Sequence, residues 1–227
     1  VTYSSGPIGT YTNVRPNMGL YAQDQVTLRR LTINGGLRFD LFRTSIPAQT
    51  LERSQFRLQD FSFPAMDVLN WRDVNPRLGA AYDLNGDGRS AIKFSLGRYV
   101  SQEATTLTEL VNPVSAPGNT RTWNDANGDF VLQGDPLNLQ PNGELGPSSN
   151  LRFGQLGTIT TSIDPTYGDG FHKRMYNWEL GTSVQREVRR NVSVSAAYFY
   201  RWFGNFQVRD NTRVAAADFD PFCITTP

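Results

Sequence analysis

The sequence predicts an all-β fold: an antiparallel meander of about six long strands, arranged as three hairpins, that is part of a larger transmembrane β-barrel. Three observations support this prediction. Six segments alternate between apolar and polar side chains with the two-residue period of a β-strand. Short turns alternate with long connections along the chain, as they do in membrane barrels. Aromatic side chains crowd toward the strand ends next to the long connections, where an interfacial girdle lies in such barrels.

The first predicted hairpin joins residues 18–28 to residues 31–42 through Arg29 and Arg30. The second strand alternates cleanly, and its apolar face consists of Leu31, Ile33, Leu37, Phe39 and Leu41, with Thr32, Asn34, Arg38 and Asp40 opposite. The apolar face of the first strand consists of Leu20, Ala22, Val26 and Leu28. Asp24 interrupts that face, and the sequence does not explain this exception.

The second hairpin is predicted from residues 76–83 and 89–100, and the third from residues 174–187 and 191–205. The connections between hairpins are long, covering about residues 44–75 and 101–173, and are rich in Gly, Pro, Asn and Thr. In the third hairpin the predicted apolar set is Tyr176, Trp178, Leu180 and Val184 against Val192, Val194, Ala196, Tyr198, Tyr200 and Trp202.

A membrane barrel explains the long connections better than a soluble domain does. Loops longer than ~15 residues are uncommon in compact soluble domains, and strands of ~10 residues or more are able to cross the hydrocarbon at a tilt. The alternative is a soluble β-sandwich that buries the aromatic rings in its core. In a barrel, we expect Ile33, Leu37, Phe39, Phe94, Leu96, Val194 and Tyr198 to face lipid, and Asn34, Arg38, Lys93, Ser95, Glu179 and Ser195 to face the interior.

The run from Asp83 to Gly88 has oxygen ligands at alternate positions, as the start of a calcium loop does. An EF-hand loop needs a glutamate at its twelfth position, which is occupied here by Phe94. Asn-Gly and Asp-Gly pairs adopt the positive φ angles of tight hairpin turns. The run is therefore predicted to be a turn that binds no metal.

A second run of this kind lies in the long acidic connection, where Asp125, Asn127 and Asp129 alternate. Three oxygen ligands with help from carbonyl groups could hold calcium, but Asn-Gly-Asp is equally a turn signal. Calcium at this run stays open as a hypothesis, and no other metal site is predicted.

The remaining motifs favour neither catalysis nor a cofactor. His172 is the only histidine and Cys223 the only cysteine, so there is no disulfide framework and no evident nucleophile with a base partner. Neither a Walker loop nor a dinucleotide fingerprint is present, and a formal charge of +1 gives no general attraction for nucleic acid. We expect a protein that is not an enzyme, and its ligand-binding residues are unknown at this stage.

Several segments together resemble a known family. Tyr-Ala-Gln-Asp at 21–24 and Gly-Leu-Arg-Phe-Asp at 36–40 resemble a barrel hairpin of TonB-dependent outer-membrane receptors. The segments NPRLGAAYDLNGDGRSAIKFSLGRY and RTWNDANGDF are similar to the Oar-like subgroup of these receptors.

The resemblance implies that residues 1–227 are part of a receptor barrel of ~22 strands in the bacterial outer membrane, without its plug domain. The implied partners are outer-membrane lipid, an unknown extracellular ligand, and the TonB complex acting through the missing plug. Since ~8 strands are the fewest that close such a barrel, and the chain lacks an initiator Met and a signal peptide, we expect a window of a longer protein. A structural or adhesive barrel without active transport, and a soluble secreted β-sandwich binding module, are the alternatives.

Overall fold

The computed structural model describes residues 1–6, 9–114, 118–156 and 159–220 and confirms the antiparallel all-β prediction. In chain order the strands are β1 (Thr2–Ser4), β2 (Asn13–Leu28), β3 (Leu31–Ile46), β4 (Gln49–Leu51), β5 (Phe61–Phe63), β6 (Met66–Asp83), β7 (Ser90–Val100), β8 (Gly118–Thr120), β9 (Asp169–Phe171), β10 (Tyr176–Arg189) and β11 (Val192–Gly204). The short helices are α1 (Thr106–Leu110) and α2 (Pro165–Gly168), and a 3₁₀ helix spans Ala216–Asp218. Within the described ranges, no helix is long and apolar enough to cross a membrane.

The six long strands lie side by side in the order β11-β10-β7-β6-β3-β2, so each strand pairs with its neighbour in the chain. This is the predicted meander of three hairpins. In the described part of the chain, β1 with β8 and β4 with β5 form only small two-stranded sheets. The long strands therefore make one continuous wall, and the arrangement does not match the β-sandwich alternative.

Three predicted strands are longer in the structure than the sequence suggested. β2 begins at Asn13, β3 continues to Ile46, and β6 begins at Met66. The predicted connection 44–75 is thus wrong in its bounds, because strand residues occupy both of its ends. The register shift between Thr44 and Ser45 makes Val68 an extra residue in β6, and this interrupts the alternation of that strand.

Short turns close the three hairpins at one end of the sheet, here named the inner end. Arg29, Gly86, Gly88 and Asn191 take the positive φ angles that these tight turns need, at 53°, 76°, 72° and 64° respectively. The long connections lie at the opposite, outer end. The run 83–88 is a hairpin turn, as predicted, and Asp83 accepts the N–H groups of Gly86 and Gly88 at 2.9 Å each.

The wall divides between β6 and β7 on the way to the outer end. These strands pair only from Asp83 opposite Ala91 to Arg77 opposite Gly97. Toward the outer end, the next residue of β6 is Pro76, and proline has no N–H group to donate to a neighbouring strand. Beyond it, β9 takes the place of β7 and pairs in parallel with β6 at Asn70 to Arg72.

The predicted connection 101–173 is folded, since it contains α1, β8, α2 and β9. Asp164 caps α2 by accepting the N–H and hydroxyl of Thr166 at 2.8 and 2.7 Å. These hydrogen bonds, above all the one from the hydroxyl, lower the pKa of the Asp164 carboxyl.

Two buried apolar clusters of the described residues lie near the outer end. One contains Phe42, Leu69, Trp71 and Leu107, and the other Leu51, Phe63 and Val114.

Candidate functional site

The sheet has two chemically distinct faces. One cross-strand row contains Val26, Ile33, Ala80, Phe94, Thr182 and Tyr198, and this side is named the apolar face. The neighbouring row on the other side contains Gln25, Asn34, Gly79, Ser95, Gly181 and Phe199, and this side is named the polar face. Strand register puts every residue of the two predicted sets on its expected face, so the separation into two faces is confirmed.

Asp24, the exception on the apolar face, lies opposite Gly35. A side chain at Gly35 would meet no atom within 4 Å, so space remains open beside the carboxylate. The Asp24 carboxylate accepts the N–H of Gln25 at 2.8 Å. Asp24 thus has a backbone hydrogen bond and free volume next to it, although the structure gives no reason for a charge at this position.

A shallow groove of about 390 Å³ lies across the inner half of the sheet. Its floor is low because Gly79 and Gly181 face each other across Ser95 in one polar row, and neither glycine carries a side chain. Lys93 and Asn34 supply polar groups along its edges. The missing side chains therefore leave the polar face recessed at this position.

A buried ionic network fills the division between β6 and β7. Asp73 is fully buried, and its carboxylate lies 3.0 Å from Nε of Arg174 and 3.4 Å from Nη1 of Arg98. Arg98 also donates to the Val74 carbonyl at 3.3 Å, where β6 has lost β7 as a partner. The two guanidinium groups therefore balance a buried carboxylate that would be costly alone.

The network continues along the polar face. Nη1 of Arg98 donates to the side-chain oxygen of Asn75 at 2.7 Å, and the Asn75 amide donates to Asp40 at 2.7 Å. Asp40 in turn accepts Nε of Arg38 at 2.9 Å. One chain of hydrogen bonds therefore joins β3, β6 and β7 to Arg174 just before β10, and fixes four segments relative to one another.

The long connection packs on the polar face at the outer end. The Arg174 guanidinium lies over the rings of Phe42 and Trp71, at 5.3 and 5.8 Å from their centroids. Nε1 of Trp71 donates to the Tyr167 carbonyl of α2 at 2.7 Å. Thr108 of α1 reaches β3 with its hydroxyl, which donates to Thr44 at 2.6 Å. These contacts hold α1 and α2 against the wall instead of leaving them free in solvent.

The outer part of the connection folds around Arg121. This buried side chain donates to the carbonyl groups of Gly146, Asn138 and Gln140 at 2.7, 2.8 and 2.7 Å. Because all these acceptors are backbone atoms, one guanidinium holds a whole irregular segment in place without secondary structure. β1 pairs with β8 beside it, so the start of the chain belongs to the same folded unit.

The calcium hypothesis concerned Asp125, Asn127 and Asp129, which the structure brings together in one exposed turn. Asp125 accepts the N–H groups of Gly128 and Phe130 at 2.8 and 3.0 Å. Asn127 accepts the N–H of Asp129, and Asp129 that of Val131. In the ranges with described structure, no group of three or more His, Cys, Asp or Glu side chains is arranged around a metal position. Calcium binding by this turn stays a prediction.

The residues of the ionic network were not predicted as a site. Asp73 fell inside the predicted connection 44–75, and Arg174 was only the first residue of a predicted strand. A strand pattern is present in this part of β6, where Asp73, Asn75 and Arg77 alternate with Val74 and Leu78. Pro76 interrupts the pattern and obscures it. His172 is half exposed, with Nδ1 4.0 Å from Asp73, and Cys223 lies outside the described residues.

Comparison with known proteins agrees with this geometry. A family model described as an outer membrane beta barrel domain matches residues 2–209, which include all six long strands and both long connections. No curated protein and no solved structure matches the chain. In a barrel of this kind the apolar face contacts the lipid of the outer membrane and the polar face lines the interior. The chain therefore belongs to the outer membrane β-barrel domain family.

Proposed function

We propose that this barrel segment belongs to a TonB-dependent receptor of the Oar-like type, which takes up an extracellular ligand and is not an enzyme. Support comes from the Tyr-Ala-Gln-Asp and Gly-Leu-Arg-Phe-Asp strands and from the two segments similar to the Oar-like subgroup. In the proposal, energy reaches the barrel through TonB and a plug domain in the parent protein, and the segment supplies wall, interior surface and outer loops.

One structural observation carries the uptake proposal most strongly. The end of the long connection is held on the polar face by the ion pair between Arg174 and Asp73, and α2 is held by the hydrogen bond from Trp71 to the Tyr167 carbonyl. A connection fixed in this way offers a preformed surface at the mouth of the barrel, and preformed surfaces bind ligands with less loss of entropy.

The test compares what cells remove from their medium. Cells lacking the parent gene, cells lacking tonB and wild-type cells are grown in the same medium, and the remaining solutes are measured by mass spectrometry. The proposal expects at least one solute that wild-type cells consume to remain in the medium of both mutants. If loss of the parent gene changes attachment or envelope integrity while every solute is consumed normally, the protein is a structural or adhesive barrel instead.

A further inference from the structure

The wall contains a window between β6 and β7. Pairing of these two strands ends where Arg77 lies opposite Gly97, although both strands continue toward the outer end. Residues 73–76 of β6 and 98–100 of β7 therefore form the two sides of the window. Residues 172–175, here named the strap, cross above it from β9, which pairs with β6, to β10, which pairs with β7. The window is thus closed below by strand pairing and above by the strap.

The window lies at the height of the hydrocarbon layer. Its lower edge, Arg77, is five residues from Tyr82 at the inner end of the apolar face, and Arg72 is ten residues from it. At ~3.3 Å per residue and a tilt of ~40°, these edges lie about 13 and 25 Å from the inner end. At the upper edge the N–H of His172 donates to the Arg72 carbonyl at 2.9 Å. The window therefore spans the outer half of an apolar band ~25 Å tall. Unpaired backbone groups are costly in lipid, so side chains have to seal it.

Charged side chains seal the window in place of backbone hydrogen bonds. Arg98 lies opposite Trp178 in the register of the apolar face, yet only 4% of it is exposed. Its guanidinium lies 4.6 Å from the centroid of the Tyr176 ring and reaches the Asp73 carboxylate on the polar face. The strap supplies the second cation, because Nε of Arg174 lies 3.0 Å from the same carboxylate. One buried carboxylate therefore connects both sides of the window and the strap.

Two features of the strap show that its closed position is under strain. Nη2 of Arg174 is buried without a hydrogen-bond partner, and a buried donor left unpaired costs free energy. His172 has a left-handed φ of 56°, which is unfavourable for a residue with a side chain. The Asn205 amide donates to the carbonyl groups of both residues and holds them in place. Movement of the strap away from Asp73 exposes Nη2 and lets the backbone at His172 relax, while the ion pair with Asp73 favours the closed state.

We propose that the strap moves away from β6 and opens the window between the barrel interior and the outer leaflet, where it binds an anionic membrane lipid. Val74, Pro76 and Val100 have the register of the apolar face at the sides of the window and contact one acyl chain. The released Nη2 of Arg174 donates to the anionic headgroup. This site goes beyond the uptake function and needs neither TonB nor a plug, so its failure and the failure of TonB-dependent uptake are separate results.

The experiment measures whether a brominated acyl chain reaches the polar face. The intact parent protein, with its native cysteines replaced by serine, carries a fluorophore at Ser95→Cys, on the polar face two residues from Gly97. It is placed in phosphatidylcholine vesicles that contain brominated phosphatidylglycerol. Asp73→Asn keeps the size of the side chain and removes the charge that holds the strap. We expect this variant to increase quenching at least about twofold by raising the open population.

Two controls locate the effect. Glu179→Gln removes a carboxylate that is paired with Arg201 at 2.6 Å, away from the window, and should be quenched as the wild type is. A fluorophore at Ser195→Cys, on the polar face of β11, should be quenched less than one at Ser95→Cys.

The wild type alone also tests the headgroup, so the result does not depend on the folding of Asp73→Asn. Brominated phosphatidylglycerol should quench the fluorophore at Ser95→Cys more strongly than brominated phosphatidylcholine does. Equal quenching by the two lipids, or equal quenching at the two reporter positions, overturns the proposal. If Asp73→Asn is cleaved more readily by protease within 101–173 but is quenched as the wild type is, the network only anchors the connection and the window does not open.

Discussion

Leu37 and Asn34 lie three residues apart in β3 and on opposite faces of the sheet, so arginine at each position tests which face meets lipid. Leu37 pairs with Ala22 and Pro76, and the residue is 52% exposed. It follows Leu31 by six residues in β3. At ~3.3 Å per residue and a tilt of ~40°, Leu37 lies about 15 Å from the inner end of the strand.

This depth is close to the middle of an apolar band ~25 Å tall. Arginine there costs about 2–4 kcal/mol of folding free energy. Asn34→Arg places the same charge on the polar face, where the Asn34 amide donates to Gln25 at 3.1 Å and water can reach the new side chain. We expect this control to cost less than about 1 kcal/mol, because the new charge stays hydrated on the polar face.

The assay is denaturant unfolding of the intact parent barrel in phospholipid vesicles, followed by tryptophan fluorescence. The unfolding free energies of Leu37→Arg and Asn34→Arg are compared with that of the wild type in the same lipid. Equal costs at the two positions would refute the assignment of the apolar face to lipid. A larger cost at Asn34 would mean that the two faces are exchanged.

Three further predictions concern the ends of the sheet. In whole cells carrying the intact parent, an impermeant thiol reagent should label Gly118→Cys at the outer end and miss Gly86→Cys at the inner end; the reverse pattern would invert the topology. Arg174→Met should lower the free energy of unfolding by about 3 kcal/mol, because it leaves the buried Asp73 carboxylate with one guanidinium partner fewer. The variant should also be cleaved more readily by protease within residues 101–173. An unchanged cleavage pattern would show that the network does not anchor the connection. If calcium orders the outer turn, a chelator should raise the same cleavage in wild type and have no effect in Asp129→Ala; equal cleavage with and without chelator would end that hypothesis.

Side-chain alternation was enough to predict the six strands and their faces, because the two-residue period continues through most of each strand. In β3 it holds from Leu31 to Leu41, and every one of those apolar residues lies on one face. The turn at Asp83 was likewise readable, since its glycines match the φ angles that the hairpin needs. Local geometry of this kind is encoded by neighbouring residues, and a sequence shows it directly.

The ionic network was not readable from the sequence because its members are brought together only by the fold. Asp73 and Arg174 are separated by 101 residues, and no spacing rule connects them. The extension of β6 toward Met66 was hidden by Pro76, which normally argues against a strand interior. The structure accommodates this proline where β6 loses its pairing with β7. Further along β6, β9 takes the place of β7, and the local sequence does not indicate that pairing.

The pairing of β9 with β6 has a consequence for the order of assembly. The three hairpins need only contacts between neighbouring stretches of chain, and such contacts form early because little loop entropy is lost. The parallel pairing of Asp169 with Asn70 closes a much longer loop than any hairpin turn does, so its loss of loop entropy is greater. We therefore expect the mouth of the barrel to be completed after the three hairpins. Until then the edge of β6 above Pro76 is open, and a chaperone or an insertion factor has access to it.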